Sequence, residues 1–192
     1  MNRYLFLSIF SIFLITISSC RGNNNITERL EPLPQNSLIQ AYFNHNYAQG
    51  ANYTDPYRQK DRPGDNLEQI IIDTIQSADQ SIAVAIQEFR LPKIADALVQ
   101  KKQEGVNVRV ILENNYRRPW SGYSQSEVNA MSQRDRIRYQ AGFNFIDING
   151  DGKLTPKEIE KRDALVILEK ADIPILDDTA DGTKGSGLMH HK

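Results

Sequence analysis

Apolar positions along the chain change their period several times, and each change predicts an element. Leu67, Ile70, Ile71, Ile75 and Ala78 recur at the three- and four-residue spacing of one helical face. Pro63-Gly64 breaks the chain before them, and Asp65 with Glu68 three residues on has the form of a capping box. Ser81-Ile82-Ala83-Val84-Ala85-Ile86 is then almost wholly apolar, as expected of a short strand covered on both faces. A second helix is predicted from Pro92, with Ile94, Ala95 and Leu98 as its core stripe and Gly105 as its stop. Residues 106–112 are aliphatic at alternate positions, broken by Asn107 and Arg109, and read as the next strand. Farther on, residues 164–170 have a helical pattern and Ile173-Pro174-Ile175-Leu176 that of a strand. A polar, Gly-containing loop over 177–187 leads to Leu188-Met189, where another strand begins. Upstream, residues 37–44 predict a first strand and residues 46–64 a long polar loop. Strands alternating with helices at this spacing predict an α/β fold with a mixed, mainly parallel sheet flanked by helices.

The first 20 residues stand apart. A short basic start at Arg3, an apolar stretch to Ile17 and the ending Ile17-Ser18-Ser19-Cys20 read as an export signal. The ending resembles the bacterial lipobox, which implies lipid attachment at Cys20, hence an exported protein anchored to a membrane of the cell envelope. An uncleaved signal-anchor helix is the alternative, and the stretch is short for that. Cys20 is the only cysteine, so no internal disulfide can form. Residues 21–36 read as a tether, and 37–192 as the folded body. With 23 basic and 24 acidic residues, no global field selects nucleic acid or an anionic membrane surface.

One motif carries a metal. Asp147-Ile148-Asn149-Gly150-Asp151-Gly152-Lys153-Leu154-Thr155-Pro156-Lys157-Glu158 matches the twelve-residue EF-hand loop position by position. Asp147, Asn149 and Asp151 fall where side-chain oxygens are needed, Lys153 where a backbone carbonyl serves, and Thr155 where a direct or water-bridged ligand sits. Glu158 closes the shell with two oxygens, and Gly152 permits the sharp turn. A helix-loop-helix insertion over 143–170 holding structural Ca2+ is expected, and a solitary loop of this kind reads as a clip rather than a switch.

The chain ends on His190-His191-Lys192. On a strand, residues two apart share a face, so His190 and Lys192 would project together. An imidazole nucleophile beside an ammonium suits phosphodiester chemistry, although the tripeptide alone reads equally as a tag remnant, a basic end or a chance string. The wider pattern decides between them. Ile82-Ala83-Val84-Ala85 followed by Glu88-Phe89, Ile94-Ala95-Asp96-Ala97-Leu98, 105–112, 168–175 and Met189-His190-His191-Lys192 together resemble the N-terminal half of the phospholipase D superfamily. The resemblance covers roughly 38–192, with the calcium loop inserted.

It implies that His190 is the nucleophile on phosphorus, or the acid for the leaving oxygen, and that Lys192 steadies the phosphoryl oxygens. The chemistry would pass through a phosphohistidine and need no metal. The family motif continues with an Asp, then commonly Gly-Ser and Asn, and pairs with a second copy; none of these is among the 192 residues. The chain is accordingly expected to be an incomplete, inactive portion of a larger enzyme. Phospholipid is the favoured substrate, an endonuclease acting on nucleic acid is the alternative within the superfamily, and a non-enzymatic calcium-binding envelope lipoprotein is the alternative outside it. Tyr116-Arg117-Arg118-Pro119-Trp120 reads as a solvated loop bordering the site.

Overall fold

The computed structural model describes residues 29–179, so Cys20, His190 and Lys192, and the strand expected at Leu188, lie outside the described residues. The chain forms two compact units, divided between Asp65 and Asn66.

In the first unit, β1 (Asn52–Thr54) and β2 (Asp61–Pro63) make an antiparallel hairpin with Tyr53 opposite Arg62. This corrects the expectation of an unbroken loop over 46–64. Its turn is organised by one carboxylate: buried Asp55 accepts from the N–H groups of Tyr57 (2.9 Å) and Arg58 (3.1 Å) and from the guanidinium groups of Arg58 (3.3 Å) and Arg62 (3.2 Å). Burial opposes ionisation of Asp55, but these donors outweigh it and bring its pKa down to about 2. The strand expected over 37–44 does not form. Gln35 donates to Ala41 O (2.8 Å) and accepts from Ala41 N (2.6 Å), so a side chain takes the backbone partners that a neighbouring strand would have supplied. Leu38 remains 91% exposed. At Gly64, φ is +133° and a Cβ would lie 2.5 Å from the Asn44 carbonyl, so only glycine fits there.

In the second unit, α1 (Leu67–Gln76) is capped by Asn66, whose side chain accepts from Gln69 N. Asp65 does not cap it; its carboxylate accepts from Phe43 N at 2.7 Å. Then follow β3 (Ser81–Ile86), α2 (Pro92–Gln103) and β4 (Asn107–Leu112). Pro92 opens α2, where its missing N–H costs nothing, and Gly105 at φ +93° ends it. Two short 3-10 turns, Asn114–Tyr116 and Trp120–Gly122, lead to α3 (Gln125–Ala130) and α4 (Gln133–Ile146). Last come α5 (Pro156–Arg162), α6 (Ala164–Lys170) and β5 (Ile175–Asp177).

The three strands pair in parallel in the order β3-β4-β5, with Val84 opposite Val110 and Val110 opposite Ile175. Helices α1, α2 and α6 pack beside one another on the sheet, and Leu98, Val110, Leu112, Leu165 and Leu168 are fully buried between them. Each such side chain contributes about 1.5–3 kcal/mol relative to exposure. Lys102 of α2 donates to the carbonyls of Ala171 (2.7 Å) and Asp172, satisfying acceptors at the C-terminal end of α6. The expectation that β3 is covered on both faces is not met among the described residues. As an edge strand it turns Ile82, Val84 and Ile86 to the core and leaves Ala83 and Ala85 exposed.

Candidate functional site

Strands β3 and β4 both lead to a cleft of about 730 Å3, lined by Gln87 just past β3, by Asn115, Tyr116, Trp120 and Tyr123 beyond β4, and by Ser132, Arg134 and Arg138 at the cap and in the first half of α4. The carboxyl ends of parallel strands are where open α/β sheets place ligands. Glu88 organises this end of the sheet. Its Oε1 accepts from Arg90, and its Oε2 accepts from Arg138 Nη2 at 3.2 Å. Arg138 also donates to the Tyr116 hydroxyl (3.1 Å) and lies over that ring at 4.3 Å. Arg90 stacks 3.6 Å from the centre of the Trp120 ring, a cation–π contact strengthened by partial burial. Burial lowers the pKa of Arg90, and the neighbouring Glu88 charge pulls it back up.

Trp120 is held from behind as well. Gly142 of α4 lies against its indole, and Tyr123 and Tyr139 border it with ring centres 6.1 and 6.2 Å away. Next to it, Ser121 donates through N (3.0 Å) and Oγ (2.8 Å) to buried Asp163, at the junction of α5 and α6. The 116–120 segment is therefore not a free solvated loop: Tyr116 and Trp120 are part-buried and form the cleft wall. Glu88-Phe89, quoted for the family pattern, divides its work. Phe89 is buried in the core, and Glu88 holds the two arginines.

Around the wall, Arg118 grips Glu127 at both oxygens (2.7 and 3.1 Å), and Ser124 N adds a third donor at 2.8 Å. The Arg118 hydrogen bond, then those of Ser124, hold the Glu127 carboxyl down from 4.5 to about 2. A depressed folded pKa means the pair stabilises the fold above pH 4.5, and that contribution is lost as pH falls towards 2. An NMR titration of the Glu127 side chain is expected to show its midpoint near 2, moving upward in Arg118→Ala. A wild-type midpoint at the ordinary glutamate value would contradict the pairing.

Of the six residues singled out for a metal, five lie between α4 and α5, with Thr155 as the cap of α5, and Glu158 follows in the first turn of α5. Asp147 accepts from Gly150 N (2.8 Å) and Gly152 N (2.9 Å), and Glu158 accepts from Ile148 N, Asn149 N, Thr155 N and Thr155 Oγ1 at 2.7–3.3 Å. Asn149 accepts from Asp151 N, and Asp151 from Lys153 N. Gly150 and Gly152 sit at φ +71° and +78°. Thr155 and Glu158 form a reciprocal capping box, and the Thr155 hydroxyl, with its N–H, keeps Glu158 ionised down to about 2. As placed, among the described residues no group of three or more His, Cys, Asp or Glu side chains closes on a common metal position.

The model of the family described as "Cardiolipin synthase, PLD-like domain" matches residues 71–192. The chain belongs to this family. The match lies within the second unit and runs through the 147–158 turn to His190 and Lys192. The parallel sheet flanked by helices fits a PLD-like domain, and membership places the chain in a superfamily of phosphodiesterases. No curated protein and no solved structure matches the chain significantly. No helix among the described residues of this PLD-like chain is long and apolar enough to cross a membrane.

Proposed function

We propose that this protein is a lipid-anchored, exported phosphodiesterase that uses His190 and Lys192 on a phosphodiester, with a phospholipid as substrate. The observation that carries this reading is the family match ending on the His-x-Lys at 190–192. In the proposed reaction an imidazole nitrogen attacks phosphorus in line, a P–N bond forms, and the P–O bond to the alcohol breaks as that oxygen takes a proton from an acid. Water then attacks the phosphohistidine, giving up its proton to a base, and the P–N bond breaks. Lys192 offsets charge on the phosphoryl oxygens in both steps. His190 takes the nucleophile or the acid role according to which of the two motif copies it represents. Cys20, as the last residue of the lipobox-like sequence, carries the anchor in this reading.

The 147–158 turn holds Ca2+ as a structural ion in the same reading. What supports this is the donor set: three carboxylates, an amide, a hydroxyl and a backbone carbonyl at the spacing of an EF-hand loop, oxygen throughout, with Gly152 in the left-handed turn such a loop needs. Asp147, Asn149, Asp151, Lys153 (through its carbonyl), Thr155 and Glu158 would hold the ion, which supplies folding order and takes no part in the phosphoryl chemistry.

The test of the activity is release of the alcohol headgroup from phosphatidylglycerol vesicles by the protein purified as the cell makes it. Turnover lost in His190→Ala and in Lys192→Ala is the expected result. Turnover unchanged in His190→Ala would overturn the role of that residue.

A further inference from the structure

We infer that the cleft walled by Arg90, Trp120, Arg134 and Arg138 is a phosphate-binding site that recognises the phosphate of a small polar headgroup, with Arg134 as its free ligand. Three guanidinium groups line or wall one cleft of about 730 Å3, a volume that admits a headgroup-sized molecule. They differ in what they have left to give. Arg90 spends Nε and part of Nη2 on Glu88, and Arg138 spends one N–H on Glu88 and one on Tyr116, so each keeps donors unspent. Among the described residues, the Arg134 side chain forms no hydrogen bond or ion pair, although it lines the same cleft. A guanidinium kept without a carboxylate partner, two residues from the start of a helix rich in polar side chains, is available to an outside anion.

The charge balance and the shape of the donors narrow the ligand. Glu88 neutralises one of the paired arginines and Asp135, also lining the cleft, offsets another charge, which leaves a modest positive excess. Asp135 and Ser132 are hydrogen-bonded to each other at the first turn of α4, so the helix start is already served and the arginines, not the helix end, carry the site. A planar carboxylate is what the protein itself supplies between Arg90 and Arg138. A tetrahedral oxyanion can reach outward N–H groups of several arginines at once, and guanidinium forks match phosphate oxygens in pairs. Tyr116, Trp120 and Tyr123 complete the wall, but Arg138, Arg90 and Arg118 already occupy one face of each, which leaves less aromatic surface for stacking of a nucleobase or capture of a quaternary ammonium.

This inference depends on the phosphodiesterase reading only for the source of the phosphate, and binding can be measured without turnover. Trp120 is the only tryptophan, and its contact with Arg90 makes its emission a local reporter. Inorganic phosphate and, separately, glycerol 3-phosphate would be titrated against the protein at constant ionic strength. A saturable change in emission is expected with both. Tighter binding of glycerol 3-phosphate identifies a headgroup as the source, and equal binding identifies free phosphate.

Arg134→Ala should weaken binding about tenfold or more, the scale of a charge-assisted contact, with melting unchanged. Lys161→Ala, which removes the same charge on α5, should leave binding intact. No saturation, or equal weakening in both variants, would overturn the inference. Intact phosphate binding without hydrolysis would sink the phosphodiesterase reading and leave this one standing, and hydrolysis without phosphate binding would do the reverse.

Discussion

Gly142→Ala is expected to destabilise the second unit and to shift the emission of Trp120. A Cβ at this position would lie 2.3, 2.4 and 2.6 Å from Nε1, Cδ1 and Cε2 of the indole, well inside contact distance. Alanine gains about 1 kcal/mol over glycine inside a helix. Overpacking costs about 1–3 kcal/mol, and the indole has little room to yield. Arg90 covers one face, and Tyr123 and Tyr139 stand at its borders. With the indole unable to yield, the clash outweighs the gain by up to about 2 kcal/mol, a fall in Tm of several degrees at about 2–4 °C per kcal/mol. Thermal melting and the emission maximum check this together. A raised Tm with unchanged emission would show that Trp120 is not seated on α4.

The second large effect is expected from the proposed calcium site. Added Ca2+ is expected to raise the melting temperature, and at a free concentration a hundred times Kd the gain is about 2.7 kcal/mol, which chelation removes. Asp151→Ala should abolish the heat of binding in calorimetry. Its cost to the metal-free fold should be small, because Asp151 is exposed and its bonds to Asn149 and Lys153 are local. Equal heats from the two proteins would remove the metal from the account.

The elements that hold the sheet were legible because their signals are local. Pro92 and Gly105 bracket α2, and the apolar period marks α6 at its observed bounds. The turn between α4 and α5 was legible for the same reason, with Gly152 at its sharp bend. What failed was decided by partners rather than pattern. Residues 37–44 look like a strand until Gln35 takes the backbone of Ala41, and Asp65 looks like a cap until its carboxylate turns to Phe43.

The cleft was the least legible feature, since Glu88, Arg90, Tyr116, Trp120 and Arg138 span fifty positions without a spacing that links them. A hint lay in Gly142, a glycine inside a helix with no turn to explain it, which marks a close approach by something large. Cys20, His190 and Lys192 remain sequence assignments, because they lie outside the described residues.

Helix α4 carries Arg134 and Arg138 in its first half, Gly142 in its middle and Asp147 at its end. Each residue added to or removed from such a helix rotates one end about 100° against the other and moves it about 1.5 Å. The arginines, the indole seat and the Asp147 carboxylate that opens the turn are thus phased by a count of residues rather than by a loop that could absorb change. In this stretch substitutions are open to trial while insertions and deletions are closed, and a protein engineer extending or shortening the domain would have to cut elsewhere.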